Sequence, residues 1–247
     1  MPSAPAVPYK LRNYMSLFSL LIHPGEDDFQ RQPFIVSSDT FPIGFPIFNE
    51  KNLRSALFIF SWFISTHDVP EIYKDFGMGF PYVRERLLEI KNALLDATKS
   101  GHGDLLQYIG SIHRTIEYNT EDIRVRFLLL VSLIELLIIH SPDTNRYNVE
   151  DSINRQFRFK TAIMVHLQQA DSNLKHHEKR LKQLYGLRSA IAHGDFKAIA
   201  KFEAGLNKKE GNEEYMDDIV DDAYYYLVAV LEQFLKDPEF VLFVKKS

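Results

Sequence analysis

The sequence predicts an all-α protein in which a C-terminal four-helix bundle follows a mostly helical, partly irregular N-terminal region. Two observations predict this fold. After residue 104 the chain consists of long segments with helical hydrophobic periodicity, joined by short polar stretches. Nine of its 11 prolines lie before residue 82, where they interrupt regular structure. We therefore expect two domains, residues 1–110 and 111–247, and the pattern assigns no role to the first.

The N-terminal region is expected to contain helices over Tyr9–Ile22, Glu50–Ser65 and Val83–Lys99. The stretch Pro24–Pro46 shows no sustained period but is rich in phenylalanine, so we expect it to be ordered and irregular. The glycine-containing break at residues 100–103 is expected to end the last of these helices.

Four long helices are expected in the second half, over Thr120–His140, Asn154–Gln169, Ser172–His193 and Met216–Leu235. Thr120 is the expected N-cap of the first, because acidic residues follow it in the first turn. A short tail ends in residues 240–244. The sequence contains no internal repeat and no glycine-rich phosphate loop.

The composition excludes several classes of function. The chain of 247 residues is 45% hydrophobic and 25% charged, as in ordinary globular proteins. It has no cysteine, which excludes disulfides, thiolate metal sites and cysteine nucleophiles. The longest apolar run, Phe127–Ile139, contains Ser132 and Glu135 and is shorter than the roughly 20 residues that span a bilayer. We therefore expect no membrane segment.

A weak resemblance to a secretion signal lies near the N-terminus. Lys10 and Arg12 precede an apolar run over residues 14–22. His23-Pro24-Gly25 then stands where a signal peptide carries small cleavage-site residues. We expect a cytoplasmic protein.

The charge is distributed unevenly along the second half. The net charge of -4 argues against indiscriminate binding to nucleic acids. Residues 155–188, however, carry eight Lys or Arg against two acids, whereas residues 203–222 carry eight acids against two Lys. The first of these segments is a candidate surface for an anionic partner.

Two charges of opposite sign occupy expected core positions. On the helix that ends at His193, Arg188 falls on the same stripe as Leu181 and Leu184. Glu135 lies within the apolar run of another helix. Because a buried charge is tolerated only when paired, we expect Glu135 and Arg188 to form an interhelical ion pair. A salt bridge that only fixes the packing of the two helices is the alternative to a functional role.

A histidine ends the same helix. His193 lies five residues after Arg188, and Gly194 follows it as the expected helix-terminating residue. Gly186 is unfavourable inside a helix by about 1 kcal/mol relative to alanine. A close approach by a second helix, in a homodimer that brings two His193 side chains together, would explain Gly186.

The segment Arg188-Ser189-Ala190-Ile191-Ala192-His193 resembles the Arg-x4-His motif of the HEPN superfamily, and the context Leu184 to Gly194 is most similar to its Apea-like branch. The helix that carries Glu135 resembles the glutamate-bearing helix of that branch. The resemblance covers roughly residues 116–235. It implies a four-helix bundle that is often dimeric. Many members are metal-independent endoribonucleases of phage-defence, toxin–antitoxin or RNA-processing systems, so the resemblance implies this activity as well. It further implies that Arg188 and His193 are catalytic and that Glu135 supports them. Ser189 departs from the Asn, Asp or His that follows the arginine in many active members.

RNA is the expected partner, and a protein regulator is a further expected partner. The predicted RNA-binding residues are Arg155, Arg158, Lys160, Lys179, Arg180, Lys182, Tyr185 and Ser189. Phe157 and Phe159 alternate with basic residues, but we expect both in the core rather than stacked on bases. The competing hypothesis is a catalytically silent HEPN module that binds RNA, a nucleotide or a protein.

No metal and no cofactor is expected. His176 and His177 form a pair without a further ligand at useful spacing, so we expect a surface pair, with His177 partly buried because it lies on the apolar stripe of its helix. The acids at residues 217, 218, 221 and 222 lie in the first turns of a helix, where the helix dipole favours them.

Overall fold

The computed structural model describes residues 13–14, 16–17, 20–21, 80–140, 149–169, 172–206 and 216–247. All regular structure in these ranges is helical. The chain divides into two compact units, residues 1–107 and 108–247. The predicted helix over Glu50–Ser65 and the irregular stretch Pro24–Pro46 lie outside the described residues.

The first unit contains helix α1 (Phe80–Ala97), close to the predicted span. A kink over Thr98–His102 follows it, where Gly101 adopts φ 90°. This positive φ favours glycine and produces the predicted break before α2 (Gly103–Asn119). The six described residues between 13 and 21 are helical, and the Asn13 amide donates to the Gln107 side chain at 3.2 Å.

In its described residues, the second unit contains six further helices and the end of α2. They are α3 (Ile123–Ile138), α4 (Val149–Gln168), α5 (Leu174–His193), α6 (Phe196–Leu206), α7 (Met216–Lys236) and α8 (Pro238–Lys246). Helices α3, α4 and α7 pack against one another, and α5 packs against both α3 and α4. The core side chains with no more than 1% exposure include Phe127, Ile134, Phe157, Leu184, Leu231 and Phe234.

The N-caps of α3 and α5 differ from those that the sequence predicts. Asp122 is the N-cap of α3, accepting hydrogen bonds from the N–H groups of Arg124 (2.8 Å) and Val125 (3.2 Å). Thr120, the predicted cap, donates its hydroxyl to the Thr115 carbonyl at the end of α2 instead. The cap of α5 is Asn173, which lies one residue after the predicted start and accepts from the N–H of Lys175.

Two helices, α6 and α8, differ from the sequence prediction, and an aspartate caps the start of each. Helix α6 was not predicted. It begins after Asp195, whose side chain accepts from the Ala198 N–H at 3.0 Å. The C-terminal segment, predicted as a short tail, forms α8 with Asp237 as N-cap and Pro238 in the first turn.

Two lysines attach α8 to the helices beneath it. The Lys245 ammonium donates to the Leu136 carbonyl at 2.6 Å, in the last turn of α3, where that carbonyl has no helical partner. The Lys160 ammonium of α4 donates to the Lys245 carbonyl at 2.9 Å and to Gln156 Oε1 at 2.9 Å. Each lysine therefore places a cation at the negative end of a helix.

Candidate functional site

Glu135 and Arg188 meet as predicted. One terminal nitrogen of Arg188 donates to Glu135 Oε2 at 2.7 Å, joining α5 to α3. The pair is less buried than the sequence predicts, since the Arg188 side chain is 26% exposed and the Glu135 side chain is 15% exposed. The guanidinium therefore combines an anchored edge with an edge that reaches solvent.

The Tyr185 ring packs against the Arg188 guanidinium. Its ring centroid lies 5.8 Å from Arg188 Cζ and 5.2 Å from the Phe157 ring centroid. Tyr185 is 5% exposed. The Arg188 Nε is buried and has no hydrogen-bond partner among the described residues. Tyr185, predicted to bind RNA, therefore packs against Arg188 and Phe157, and it also lines the neighbouring cleft.

His193 is exposed at the last residue of α5, and Gly194 follows in the left-handed conformation (φ 67°, ψ 29°). The Gly194 N–H donates to the Ala190 and Ile191 carbonyls, which terminates the helix as predicted. His193 projects into an open cleft of about 380 Å³. The cleft is lined by Asn154, Tyr185, Gly186, Ser189, Ala190, His193, Asp195 and Ala198.

Arg188 does not line this cleft. Five residues along an α-helix correspond to about 140° of rotation and ~7.5 Å of rise, so the two motif residues project to different sides of α5. Ser189 lies between them and lines the cleft with His193. A single chain therefore does not bring Arg188 and His193 to one point.

The exposed face of α5 bears basic residues, among them the predicted Lys179 and Lys182. Lys175, Lys179 and Lys182 are exposed at helical spacing, and Gly186 and His193 continue the same face. An ideal Cβ at Gly186 would have nothing within 4 Å. In the part of the chain that the structure describes, no neighbouring helix therefore explains the glycine.

The other predicted RNA-binding residues have different surroundings. Arg155 is exposed on α4. Arg180 is paired with Asp222 of α7, and Arg158 has a buried Nε. Lys160 is 6% exposed and its ammonium is turned toward α8. Lys160, predicted to contact RNA, is therefore covered by α8 in this structure.

Phe159 also differs from its prediction. Phe157 is buried at 0% exposure, as expected, whereas Phe159 is 61% exposed. Successive odd positions of a helix project about 200° apart, so residues 157 and 159 cannot share one buried face. An alternation with period two misled the sequence reasoning at this point.

The two histidines at the other end of α5, His176 and His177, also differ in exposure. His176 is exposed, whereas His177 Nδ1 lies 3.1 Å from the Tyr226 hydroxyl, and its ring stacks near Tyr225. Burial lowers the pKa of His177, and the neighbouring His176 lowers it further. Within the described ranges, no group of three His, Asp or Glu side chains is arranged to hold a metal ion.

Sequence reasoning did not identify three cleft residues, Asn154, Asp195 and Ala198. Asn154 belongs to α4, and the other two belong to the start of the unpredicted helix α6. The available signal was Asp195 two residues after His193, which is a typical N-cap residue. Its place in the same cleft as His193 depends on the tertiary arrangement of α4, α5 and α6.

In the part of the chain that the structure describes, no helix is long and apolar enough to cross a membrane. No protein-family model matches the sequence, and neither a curated protein nor a solved structure matches it.

Proposed function

We propose that the chain is a metal-independent endoribonuclease of the HEPN type that acts as a homodimer, with α3, α4, α5 and α7 as its four-helix bundle. The observation that carries this proposal is the 2.7 Å contact between Arg188 and Glu135, five residues before an exposed His193 on the same helix. It places an oriented cation and a titratable group at one end of α5. The resemblance to the Apea-like HEPN motif gives that pair its chemical meaning.

Arg188 would bind the scissile phosphate. A guanidinium suits a phosphate because it donates several hydrogen bonds in a fixed plane. Glu135 holds one edge of this plane, and Tyr185 lies beneath it. The arginine would therefore stabilise the additional negative charge of the phosphorane without reorganising.

His193 would transfer protons. RNA cleavage without a metal requires a base for the ribose 2′-hydroxyl and an acid for the leaving 5′ oxygen. An imidazole performs either role near neutral pH. Since each chain supplies one motif histidine, two chains would supply the base and the acid. The products would be a 2′,3′-cyclic phosphate and a 5′-hydroxyl, and DNA would resist because it lacks the nucleophile.

Gly186 would be the point of contact between the two chains. It leaves a bare backbone on the exposed face of α5, in the same cleft as His193. A second α5 that packs there would bring both His193 side chains near a twofold axis. Lys179, Lys182 and Arg155 would then guide the RNA backbone toward that axis.

A second candidate is a silent HEPN module that binds RNA, a nucleotide or a protein regulator. Asp195 favours it, because a carboxylate that lines the His193 cleft disfavours a phosphate there. Ser189, directly after the motif arginine, favours it as well.

Incubation of the purified protein with total RNA, with and without EDTA, separates the two candidates. We expect cleavage of the RNA in both conditions and no cleavage of single-stranded DNA. His193→Ala and Arg188→Ala should each abolish cleavage, whereas His176→Ala, at the other end of α5, should retain it. Intact RNA with the wild-type protein would favour the silent module.

A further inference from the structure

The contact between Arg188 and Glu135 leaves one property of the guanidinium undetermined. Among the described residues, Arg188 makes a single side-chain hydrogen bond, from one terminal nitrogen to Glu135 Oε2 at 2.7 Å. Two parallel hydrogen bonds to one carboxylate fix the plane of a guanidinium, whereas a single bond lacks that geometric specificity. Glu135 therefore holds the charge in place without fixing the orientation of its plane.

The Tyr185 ring is a second contact of the same guanidinium. Tyr185 precedes Arg188 by three residues, so both side chains lie on one side of α5. The ring centroid is 5.8 Å from Arg188 Cζ, within the roughly 6 Å at which an aromatic face attracts a cation. The buried Arg188 Nε has no hydrogen-bond partner among the described residues, which is unfavourable. A nearby ring face, which carries partial negative charge, offsets part of that cost.

The bundle core holds the Tyr185 ring. Its centroid lies 5.2 Å from that of Phe157 in α4, with 46° between the two ring planes. Phe157 is 0% exposed and Tyr185 is 5% exposed. Close packing on this scale restricts side chains to few rotamers. Tyr185 therefore connects the rigid core to an arginine that is 26% exposed.

Tyr185 also belongs to both parts of the proposed site. Arg188 does not line the cleft into which His193 projects, whereas Tyr185 does. A guanidinium plane that is set by Tyr185 is therefore set relative to that cleft.

We infer that Tyr185 is a positioning residue, whose ring fixes the plane of the Arg188 guanidinium relative to the His193 cleft. The inference rests on the proposed function for the catalytic value of that plane. The contact itself can be measured without RNA. Tyr185 acts through Arg188, rather than by binding RNA itself as the sequence predicts.

Arginine side-chain NMR tests the contact in the wild-type protein. In isotope-labelled full-length protein, the Arg188 Nε–H signal is identified by its loss in Arg188→Lys. We expect nuclear Overhauser cross-peaks between the Arg188 side chain and the Tyr185 ring protons. This measurement needs no change at Tyr185, and the absence of the cross-peaks would overturn the inference.

Three substitutions separate the ring from general packing. Tyr185→Phe keeps the ring and should leave the Arg188 Nε–H signal in place. Tyr185→Leu keeps an apolar side chain without a ring, and hydrogen exchange at that N–H should become about tenfold faster. The matched control is Tyr226→Leu, because Tyr226 is 2% exposed and contacts His177 at the other end of α5. An unchanged signal in Tyr185→Leu, or an equal change in the control, would overturn the inference.

Cleavage kinetics test the catalytic consequence. Tyr185→Leu should lower kcat about tenfold and change KM for RNA less than about twofold, because a misoriented guanidinium loses transition-state stabilisation while RNA still binds. Tyr185→Phe should recover most of the wild-type kcat. A raised KM with an unchanged kcat in Tyr185→Leu would overturn the inference, since the ring would then bind RNA directly.

The proposed function fails separately. If the wild-type protein leaves RNA intact, but Tyr185→Leu alone changes the Arg188 signal, the ribonuclease is rejected and Tyr185 is retained as the residue that orients Arg188. Cleavage that Tyr185→Leu does not slow would retain the ribonuclease and reject the positioning role.

Discussion

At the scale of single residues, the pairing of Arg188 with Glu135 is intermediate between a surface and a core ion pair. Exposed pairs contribute about 0 to 1 kcal/mol, whereas removing one partner of a fully buried pair costs about 3 to 5 kcal/mol. The side chains here are 26% and 15% exposed, so solvent screens part of their interaction. The pair therefore orients the guanidinium as well as stabilising the fold.

Glu135→Ala should lower the free energy of unfolding by about 1 to 2 kcal/mol, because Arg188 loses its carboxylate while keeping partial contact with water. Urea denaturation monitored by circular dichroism measures the change. The matched control is Glu203→Ala, which removes the more exposed pair with Arg124 of α3 and should cost less than about 1 kcal/mol. Equal losses for the two variants would contradict a special role for Glu135.

His177 should make stability depend on pH. Burial first, and then His176, lower its pKa from the ordinary 6.5, against a smaller opposing effect of Asp222. The unfolded chain therefore binds the proton more readily than the folded chain. The stabilising contribution is complete above about pH 6.5 and is lost as the pH falls from there through the lowered folded value.

We expect the urea concentration at the unfolding midpoint of the wild type to be lower at pH 5 than at pH 7.5. His177→Gln should reduce that fall, because glutamine does not titrate and can still hydrogen-bond the Tyr226 hydroxyl. His140→Gln is the control, since His140 is exposed and is not among the groups that shift the pKa of His177. An unchanged pH dependence in His177→Gln would assign the effect to other groups.

At the scale of elements, α5 combines a buried side with an exposed side of distinct composition. Leu181, Leu184 and Leu187 face the core, whereas Lys179, Lys182 and Gly186 are exposed. Glycine in an exposed helix interior is unfavourable unless a contact uses the missing side chain. The exposed side of α5 is therefore the surface on which the dimer proposal can be tested directly.

Gly186→Ala should stabilise the separated chain by about 0.5 to 1 kcal/mol, because the new methyl group meets nothing within 4 Å. It should also weaken dimerisation if a second α5 packs there. Gly205→Ala in α6, where a Cβ likewise meets nothing, should stabilise without affecting the dimer. Sedimentation and thermal unfolding of both variants give the comparison, and equal dimer affinities would place the interface elsewhere.

Reversing the exposed lysines of α5 should weaken RNA binding and flatten its dependence on salt, because fewer counterions are released. The variant is Lys179→Glu with Lys182→Glu, since Arg180 is already paired with Asp222. Lys236→Glu with Lys246→Glu changes the net charge equally at exposed sites on α7 and α8. The same salt slope in both variants would show that net charge, rather than this face, controls binding.

At the scale of the whole molecule, the two oppositely charged segments serve partly to hold helices together. Arg180 of the basic segment pairs with Asp222 of the acidic segment, and Glu203 pairs with Arg124. Lysines 175, 179 and 182 remain exposed. The charge available to an anionic partner is therefore smaller than the sequence total and is concentrated on α5.

Mixed dimers test whether catalysis needs two chains. The wild-type protein should be a dimer by light scattering, and His193→Ala should dimerise equally well because it leaves Gly186 unchanged. A dimer purified through two tags, with one His193→Ala chain, should lose about 100-fold or more of the wild-type rate, since either the acid or the base is missing. Half of the wild-type rate would show that each chain works independently.

The sequence by itself determined the helical periodicity, the end of α5 at Gly194 and the meeting of Glu135 with Arg188. These follow from local spacing and from the cost of leaving a charge unpaired in an apolar helix. Only the tertiary structure decided that Lys160 is covered by α8, that Phe159 is exposed, and that Asn154 and Asp195 share a cleft with His193. Periodicity defines the faces of one helix, but burial also depends on which neighbours cover each face, and the residue that engages Lys160 lies 85 positions away along the chain.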